Sequence, residues 1–207
     1  MPRRPCRVTK ALPAVRLIPY SRLVATPWKN GGGETREIAA CPDGAGFEDF
    51  DWRLSIATIA GDGAFSSFAG VDRILMLLSG DGVGLSLDGE SETILAPGDL
   101  LAFAGERSVR SRLVGGAVQD LNLMVRRGRM TARMDVHTLD GPGVLDLGEG
   151  GGAITLRQGQ ARTADGRPLG PGDTVLFEPG EGRRVTLTGA AQLVLIRFGR
   201  IRATAAS

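Results

Sequence analysis

Glycine and proline interrupt this sequence at intervals of about eight to twelve residues, and this spacing limits what the chain can fold into. The 207-residue chain contains 31 Gly and 11 Pro. The segments between them are short, rich in Leu or β-branched residues, and often alternate between apolar and polar positions. Such segments are typical of an all-β sandwich or barrel. Helical periodicity is almost absent. Clear strand candidates are Trp52–Ile59, 73–78, Val83–Leu87, 99–103, 121–126, Thr174–Phe177 and 192–198.

The two halves of the chain resemble one another when Pro97-Gly98-Asp99 is aligned with Pro171-Gly172-Asp173. In this alignment Phe103 falls on Phe177 and Leu121 on Leu195, and an Asp-Gly pair, a strong hairpin signal, precedes each turn. A Pro-Gly-Asp turn that enters a strand is typical of the cupin barrel, a small jelly roll. We therefore predict a bicupin, two cupin-type β-barrels in one chain with almost no helix.

The predicted boundaries follow the glycine-rich stretch around residue 150. Residues 1–14 are expected to form a flexible N-terminal tail, residues 15–147 an N-terminal cupin half with a ligand pocket, and residues 148–207 a C-terminal half that is mainly structural. The C-terminal copy has the barrel signals but few clustered polar residues.

Composition excludes several classes of function. The net charge of +2 is scattered over both signs and forms no basic stripe, so nucleic acid is not expected as a partner. The longest apolar run, residues 74–78, falls far short of the ~18 residues that a membrane span needs, and no secretory signal precedes it. We expect a cytoplasmic protein that does not bind membranes.

The single histidine, His137, argues against metal and triad chemistry. A metal site in a β-barrel usually draws two or three imidazoles plus a carboxylate, and the chain has no Cys-x-x-Cys sequence. We predict neither a metal nor another cofactor, and we place His137 at the surface or in a loop. Cys6 and Cys41 have no neighbouring histidine, so we predict two reduced thiols.

Two strands of the N-terminal half carry polar residues on one face. Alternation in Trp52–Ile59 places Arg53, Ser55 and Ala57 together, opposite three large apolar side chains. The segment 120–127 does the same with Asp120, Asn122, Met124 and Arg126. A solvent-facing surface and a pocket floor are both compatible with this pattern.

Three consecutive glycines, Gly31 to Gly33, follow the sequence Trp28-Lys29-Asn30. Glycines there allow backbone N–H groups to approach an anion closely, but a plain structural turn fits the residues equally well. No P-loop sequence follows, so a phosphate loop is not indicated.

Taken together, these segments resemble the motif series of the HutD/Ves family. The matching segments are Trp28 to Ile38, Trp52-Arg-Leu-Ser-x-Ala, Gly63-x-Phe-Ser-x-Phe-x-Gly-x-Asp72-Arg73 and Asp120-x-Asn-x-Met-x-Arg-Arg127, in this order. The resemblance covers residues 17 to 198 apart from the loop 45–51. It implies a bacterial bicupin without metal, linked to histidine utilisation, that binds an intermediate such as N-formylglutamate and tunes pathway flux. Ves members are instead tied to stress or cold response.

The matched residues supply chemistry that suits a dianionic ligand, since carboxylates pair well with planar arginine forks and with amide or hydroxyl donors. We expect Arg53 and Arg126 to grip carboxylates, the polar residues to orient the ligand, and Trp28 and Phe68 to form an apolar wall. The predicted ligand-binding residues are Trp28, Asn30, Gly31, Gly32, Thr35, Arg53, Ser55, Ser66, Phe68, Arg73, Asn122, Met124 and Arg126; no catalytic residue is predicted.

Two other interpretations remain open at this point. A metal-independent isomerase or hydrolase acting on a small acidic metabolite would use Asp72, Asp120 or Glu37 as a general base. An oligomeric scaffold, for instance a homodimer, would use the glycines as barrel corners. The residues favour a non-catalytic binding protein over both.

Overall fold

The structure, a computed structural model, describes residues 15–177, 179 and 184–200. Strands dominate this part of the chain, with one 3-10 turn at Tyr20–Arg22, so the prediction of an all-β fold is confirmed. In chain order the strands are β1 Val15–Ile18, β2 Ala25–Pro27, β3 Gly33–Cys41, β4 Trp52–Ile59, β5 Gly63–Ala64, β6 Val71–Ser79, β7 Val83–Leu87, β8 Thr93–Leu95, β9 Leu100–Ala104, β10 Val109–Leu113, β11 Val118–Arg126, β12 Met130–Asp146, β13 Gly152–Thr163, β14 Pro168–Leu169, β15 Thr174–Phe177 and β16 Arg184–Arg200.

The described chain divides into two compact units at a different place from the predicted one. Unit 1 comprises Leu23–Arg127, and unit 2 comprises residues 15–22 and 128–200. The sequence placed the boundary at residues 147 and 148, and assigned residues 15–22 to the first half. The reason for the difference is strand pairing. β12 pairs with β16 along its whole length, and β1 pairs with β15, so both belong to unit 2.

Unit 1 contains two sheets with one apolar core between them. The larger sheet has the order β2-β3-β4-β11-β6-β9, and the smaller has the order β5-β10-β7-β8. Side chains from both sheets meet in this core, which makes unit 1 a small β-sandwich closed around its interior. The core residues are Ile59, Leu75, Leu77, Val83, Leu85, Leu87, Leu95, Phe103, Val109 and Val118.

Unit 2 contains a sheet with the order β1-β15-β13-β16-β12, to which β14 is added beside β13. Its interior is apolar, and the buried polar residues described there are Thr155 and Thr174, whose hydroxyls hydrogen-bond at 2.9 Å. The core residues are Leu139, Leu145, Leu147, Ile154, Leu156, Ala161, Leu169, Val175, Phe177, Leu187, Ala191, Leu193 and Leu195.

The repeated Pro-Gly-Asp turn has the same hydrogen bonds in both units. In unit 1 the Asp99 carboxylate accepts from the Ala96 N–H at 2.8 Å, and the Gly98 N–H donates to the Leu77 carbonyl at 2.7 Å. In unit 2 the corresponding distances are 2.9 Å to the Gly170 N–H and 2.8 Å from the Gly172 N–H to the Leu156 carbonyl. Both middle glycines have positive φ, 102° and 84°, which favours glycine there. The sequence repeat therefore corresponds to a structural repeat of the turn.

One sequence prediction about the cysteines is wrong. Cys41, at the end of β3, is buried and disulfide-bonded, whereas two reduced thiols were predicted. Cys6 is the other cysteine of the sequence and lies outside the described residues, as does the predicted tail 1–14. Cysteines far apart in the sequence leave no local pattern of pairing, so the residues around Cys41 gave no sign of the bond.

His137 lies in β12, half-buried, rather than in a loop. Within the described ranges, no helix has the length and apolar character needed to cross a membrane.

Candidate functional site

The candidate site lies on the inner face of the larger sheet of unit 1, the face that packs toward the smaller sheet. Successive side chains of a strand point to opposite faces, so a residue that lies an even number of positions before a core residue of the same strand shares its face. Ile59 of β4 is in the core, and Arg53 and Ser55 are therefore on the inner face; Leu75 places Arg73 there in the same way. The alternation predicted from the sequence for β4 is confirmed.

Strand register brings three rows of inner-face residues together across β4, β11 and β6. Met124 lies opposite both Arg53 and Arg73, and one step further along, Asn122 lies opposite both Ser55 and Leu75. A further step brings Asp120 between Ala57 and Leu77. Along the inner face, the row with two arginines is followed by a row with the neutral polar groups of Asn122 and Ser55, and then by a row with the carboxyl of Asp120. We call Arg53, Ser55, Arg73, Asp120 and Asn122 the inner polar cluster.

Arg73 is buried, with 5% of its surface exposed, yet its guanidinium is only weakly hydrogen-bonded. Nε donates to Asn122 Oδ1 and Nη1 donates to the Ser66 carbonyl, both at 3.4 Å, and Nη2 donates to no described residue. Three aromatic rings surround it, with ring centres 5.0 to 5.8 Å away, those of Phe65, Phe68 and Phe103. Burial lowers the pKa of Arg73 to about 10, opposed by the attraction of Asp120 and reinforced by the repulsion of Arg53. The group stays positive at neutral pH and retains donors for an anion.

Arg53 is the second guanidinium of the cluster, and its side chain is 11% exposed. Nε donates to a Glu37 carboxylate oxygen at 2.7 Å, and Nη1 approaches the Ser55 hydroxyl at 3.4 Å. The ring of Phe47 covers it at 4.9 Å from the ring centre. Because Glu37 is exposed and Phe47 is 53% exposed, Arg53 marks the end of the cluster that opens toward solvent.

Asp120 is the innermost polar residue of the cluster and is 2% exposed. No described residue donates a hydrogen bond to its carboxyl, and its cross-strand neighbours are apolar. Burial raises the pKa of Asp120 to about 7, against the attraction of Arg73. At neutral pH the carboxyl therefore exists in both protonation states.

Arg126 does not join the cluster, although the sequence predicted it as a ligand-binding residue. Its guanidinium donates to the carbonyls of Phe47 and Glu48 at 3.2 Å, of Ala69 at 3.1 Å and of Phe50 at 3.5 Å. All three of its nitrogens are engaged in this way. Arg126 therefore holds the loop between β3 and β4, which carries Phe47 over Arg53.

The glycine loop forms the turn between β2 and β3. The Gly31 N–H donates to the Trp28 carbonyl at 3.0 Å, and the Gly32 N–H donates to Asn30 Oδ1 at 3.0 Å. Both N–H groups are thus used within the loop, which fits the structural turn of the two interpretations left open by the sequence. Gly33 comes so close to β4 that a Cβ there would lie 2.1 Å from the Thr58 carbonyl oxygen.

The remaining predicted residues surround the cluster. The Trp28 indole donates to the Thr35 hydroxyl at 2.8 Å and packs edge-on against Phe65, whose ring stacks on Arg73. Met124 is buried in a small apolar cluster with Phe50 and Val71, against which Phe68 packs. The Ser66 side chain is exposed, and this residue contributes its backbone carbonyl to Arg73.

Several site residues were not predicted as ligand-binding. Phe47 lies in the loop 45–51, which carries no recognisable motif, and Phe103 lies on a strand that reads as plain core. Asp120 and Glu37 were considered only as general bases. Alternation placed Asp120 on the same face as Asn122, but the burial of Asp120 depends on the neighbouring strands.

The described residues contain no group of three His, Cys, Asp or Glu side chains that could hold a metal ion. The donors that converge here are guanidinium, amide and hydroxyl groups, which bind carboxylates rather than cations.

Comparison with known proteins identifies the family. The HutD family model matches residues 20–195 of the chain. An uncharacterised 21.2 kDa protein in the hutC 3′ region of Pseudomonas putida is 46% identical over 123 residues, 59% of this chain and 63% of that protein. Protein Ves of Citrobacter koseri is 44% identical over 110 residues, 53% of this chain and 56% of that protein. The matches thus span less than two thirds of these curated relatives.

Solved structures agree with this assignment. A conserved protein of unknown function from Pseudomonas aeruginosa PAO1 is 31% identical, with a TM-score of 0.80 over 89% of this chain and 98% of that one. HutD from Pseudomonas fluorescens SBW25 is 33% identical, with a TM-score of 0.77 over 90% of this chain and all of that one. A cupin barrel protein from Leptotrichia buccalis, at 13% identity and a TM-score of 0.56, is similar in fold. The chain belongs to the HutD family.

Proposed function

We propose that this protein is a metal-independent, cytoplasmic bicupin that binds a small acidic metabolite with two carboxylates, such as N-formylglutamate, and modulates histidine utilisation without catalysing a reaction. The observation that carries the proposal is the pairing of Arg53 and Arg73 across β11 on one inner face, with hydrogen-bond capacity to spare. The HutD family model and the relative in the hutC 3′ region support the link to histidine utilisation.

The two guanidiniums suit a dianion because of their spacing. Their strands flank β11, so the Cα atoms lie about 10 Å apart across the sheet. A short diacid could bridge two guanidiniums carried by strands this far apart. Arg53 opens toward solvent and Arg73 lies deeper, so one carboxylate would enter first and the other would remain near the rim.

Arg73 gains the most from such a ligand. It is withdrawn from water by burial and by three phenylalanine rings, and both of its hydrogen bonds are long. A carboxylate would supply the short, charge-assisted partners that the described protein groups do not. The aromatic rings would also exclude water from the ion pair and so strengthen it.

Neutral groups in the row next to the arginines provide orientation. The Asn122 amide nitrogen donates to no described residue, and the Ser55 hydroxyl has a weak contact with Arg53 only. Each charge-assisted hydrogen bond contributes on the order of 1.5–3 kcal/mol, so about four of them supply roughly the 8 kcal/mol that binding at micromolar concentration requires.

A thermal-shift screen tests the proposal. The screen compares N-formyl-L-glutamate with urocanate, L-glutamate and L-histidine. Ligand at 100 times its dissociation constant stabilises the folded state by about 2.7 kcal/mol, which gives a clear rise in melting temperature. A selective shift with one acid supports the proposal and names the ligand. No shift with any of them contradicts it and favours the stress-linked Ves type or the scaffold.

One observation favours a second candidate function, a metal-independent isomerase or hydrolase acting on a small acidic metabolite. A carboxyl with a pKa of about 7, such as that of Asp120, is suited to general acid–base catalysis at neutral pH. Of the other bases considered, Asp72 is exposed and paired with Arg127, and Glu37 is paired with Arg53. Turnover of a bound acid by the pure protein, abolished in Asp120→Asn, would support this function.

A further inference from the structure

Asp120 is a buried carboxyl whose charge depends on one neighbouring arginine. It lies at the inner end of the inner polar cluster and is 2% exposed. Across β4 its neighbour is Ala57, and across β6 it is Leu77, neither of which has a polar side chain. These surroundings favour the neutral form of a carboxyl, because nothing there replaces the water that would solvate the charge.

Arg73 is the described charged group that opposes this effect of burial on the pKa of Asp120. Its backbone lies in the row of Met124, and its guanidinium reaches to Asn122 Oδ1, one row nearer to Asp120. Inner-face rows are about 7 Å apart along a strand. The guanidinium therefore attracts the Asp120 carboxylate without a salt bridge between them among the described contacts.

The other charged groups of the inner face are engaged elsewhere. Arg53 of β4 pairs with Glu37 of β3 nearer the solvent, and Arg126 of β11 is bound to loop carbonyls. Asp62, next to β5, is exposed and accepts from the Leu113 N–H at 2.8 Å.

The strands that face Asp120 from the smaller sheet carry no titratable side chain on the inner face. Strand β9, at the edge of the larger sheet, is apolar along its length. The inner-face residues of the smaller sheet are Val83, Leu85 and Leu87 on β7, Leu95 on β8, and Val109, Ser111 and Leu113 on β10.

An anion bound at Arg73 changes the balance of charges around Asp120. With Asp120 ionised, Arg53 and Arg73 are balanced by Asp120 and Glu37. A ligand carboxylate beside Arg73 adds negative charge and cancels the attraction that keeps Asp120 ionised. The buried carboxylate then has apolar neighbours and a negative charge nearby, and both conditions favour its protonation.

We propose that the site takes up one proton at Asp120 when it binds an anionic ligand, so that affinity rises as pH falls. The proton comes from solvent and forms an O–H bond on the Asp120 carboxyl. This coupling, which rests on the proposed binding function, adds regulation of the same site by pH.

The range of pH follows from linkage between ligand and proton. The pKa of Asp120 without ligand is about 7, and a bound anion raises it further. Well below pH 7 the carboxyl is protonated with or without ligand, so affinity is constant there. Above pH 7 affinity falls by up to about tenfold per pH unit, until the raised pKa is reached.

Calorimetric titration of N-formyl-L-glutamate measures the proton directly. This acid has no group that titrates between pH 6 and pH 8, since its nitrogen is an amide and its carboxyl pKa values lie near 4. Tris and HEPES differ in heat of ionisation, so the difference in binding heat between them gives the number of protons taken up. At pH 7.5 we expect about half a proton or more per ligand, and at pH 8 an affinity at least about threefold weaker than at pH 6.

Two variants assign the proton to Asp120. Asp120→Asn resembles the neutral carboxyl in shape and cannot titrate, so it should take up no proton and bind equally well at pH 6 and pH 8. Asp72→Asn is the matched control, because it removes an exposed carboxylate of the neighbouring strand β6 and should leave the uptake unchanged. A thermal melt verifies that each variant is folded, and the wild-type measurement stands without them.

The outcomes separate the coupling from the function on which it rests. Binding by wild type with no proton uptake and equal affinity at pH 6 and pH 8 overturns the coupling and leaves the binding function intact. Uptake that persists in Asp120→Asn assigns the proton to another group and also overturns the coupling. Failure of wild type to bind at either pH overturns both.

Discussion

Arg53 and Arg73 lie opposite the same residue, Met124, on the two sides of β11. They come from strands that do not pair with each other, and β11 holds both of them in one row of the inner face. Repulsion between the two guanidiniums is part of what lowers the pKa of Arg73. The site keeps two positive charges together, and the salt bridge described there joins Glu37 to the outer arginine, Arg53. This arrangement favours the binding of an anion.

Replacing Arg73 by methionine should separate binding from stability. Methionine fills much of the same volume among the phenylalanine rings but removes the charge and its donors. We expect N-formyl-L-glutamate binding to fall at least about tenfold, which corresponds to 1.4 kcal/mol. The melting temperature should stay near the wild-type value or rise, because a buried charge with weak hydrogen bonds contributes little to folding. Calorimetry and a thermal melt measure the two effects; a large drop in melting temperature would show that Arg73 is structural.

Replacing Arg126 by lysine should loosen the loop that carries Phe47. One ammonium group cannot serve the four carbonyls that the guanidinium contacts. We expect hydrogen exchange of the amides in residues 42–51 to accelerate about tenfold or more, and ligand binding to weaken less than in Arg53→Ala. Arg127→Lys is the control, since Arg127 pairs at the surface with Asp72 and Glu106. Unchanged exchange in Arg126→Lys would contradict this role.

The glycine loop allows a matched pair of alanine substitutions. Gly33→Ala would place a Cβ 2.1 Å from the Thr58 carbonyl oxygen, so the strands must move apart, at a cost of about 1–3 kcal/mol or more. At Gly31 the space is open, and the strain comes only from its φ of +71°, so alanine should cost roughly 1 kcal/mol. Urea unfolding of the two variants measures the difference; equal losses of stability would mean that the close approach to β4 is absent.

Asp120 should make stability fall as pH rises toward neutrality. Its folded-state pKa of about 7 lies above the unfolded value of about 3.9, so the folded state binds more protons between these values. Its contribution is therefore fully present below pH of about 4 and is lost as pH rises through about 7. Asp120→Asn cannot titrate. We expect the melting temperature of wild type relative to Asp120→Asn to decrease from pH 5 to pH 8, and a constant difference would contradict the assigned burial.

The predictable part of the fold was local in the sequence. Predicted strands such as β4, β7 and β15 have the bounds seen in the structure, because alternation and flanking turn residues define them. The Pro-Gly-Asp turns were recognisable for the same reason. The boundary between the units was not, because β12 and β16 are far apart in the chain and only their pairing assigns β12 to unit 2.

In the candidate site, too, features set by one strand were predictable and features set by distant segments were not. The shared face of Arg53 and Ser55 could be read from one strand, and so could that of Asp120 and Asn122. The different role of Arg126 could not, because the carbonyls that it contacts lie far from it in the sequence. The burial of Asp120 depends likewise on apolar residues of two neighbouring strands.

The most direct test of the binding site is a calorimetric titration of N-formyl-L-glutamate into wild type, Arg53→Ala and Arg112→Ala. Arg112 is a matched control because it also pairs with a glutamate, Glu92, but lies on the smaller sheet. We expect binding by wild type and Arg112→Ala with equal affinity, and a loss of at least about tenfold in Arg53→Ala without unfolding. Normal binding by Arg53→Ala together with a lower melting temperature would show that Arg53 is structural and that the ligand binds elsewhere.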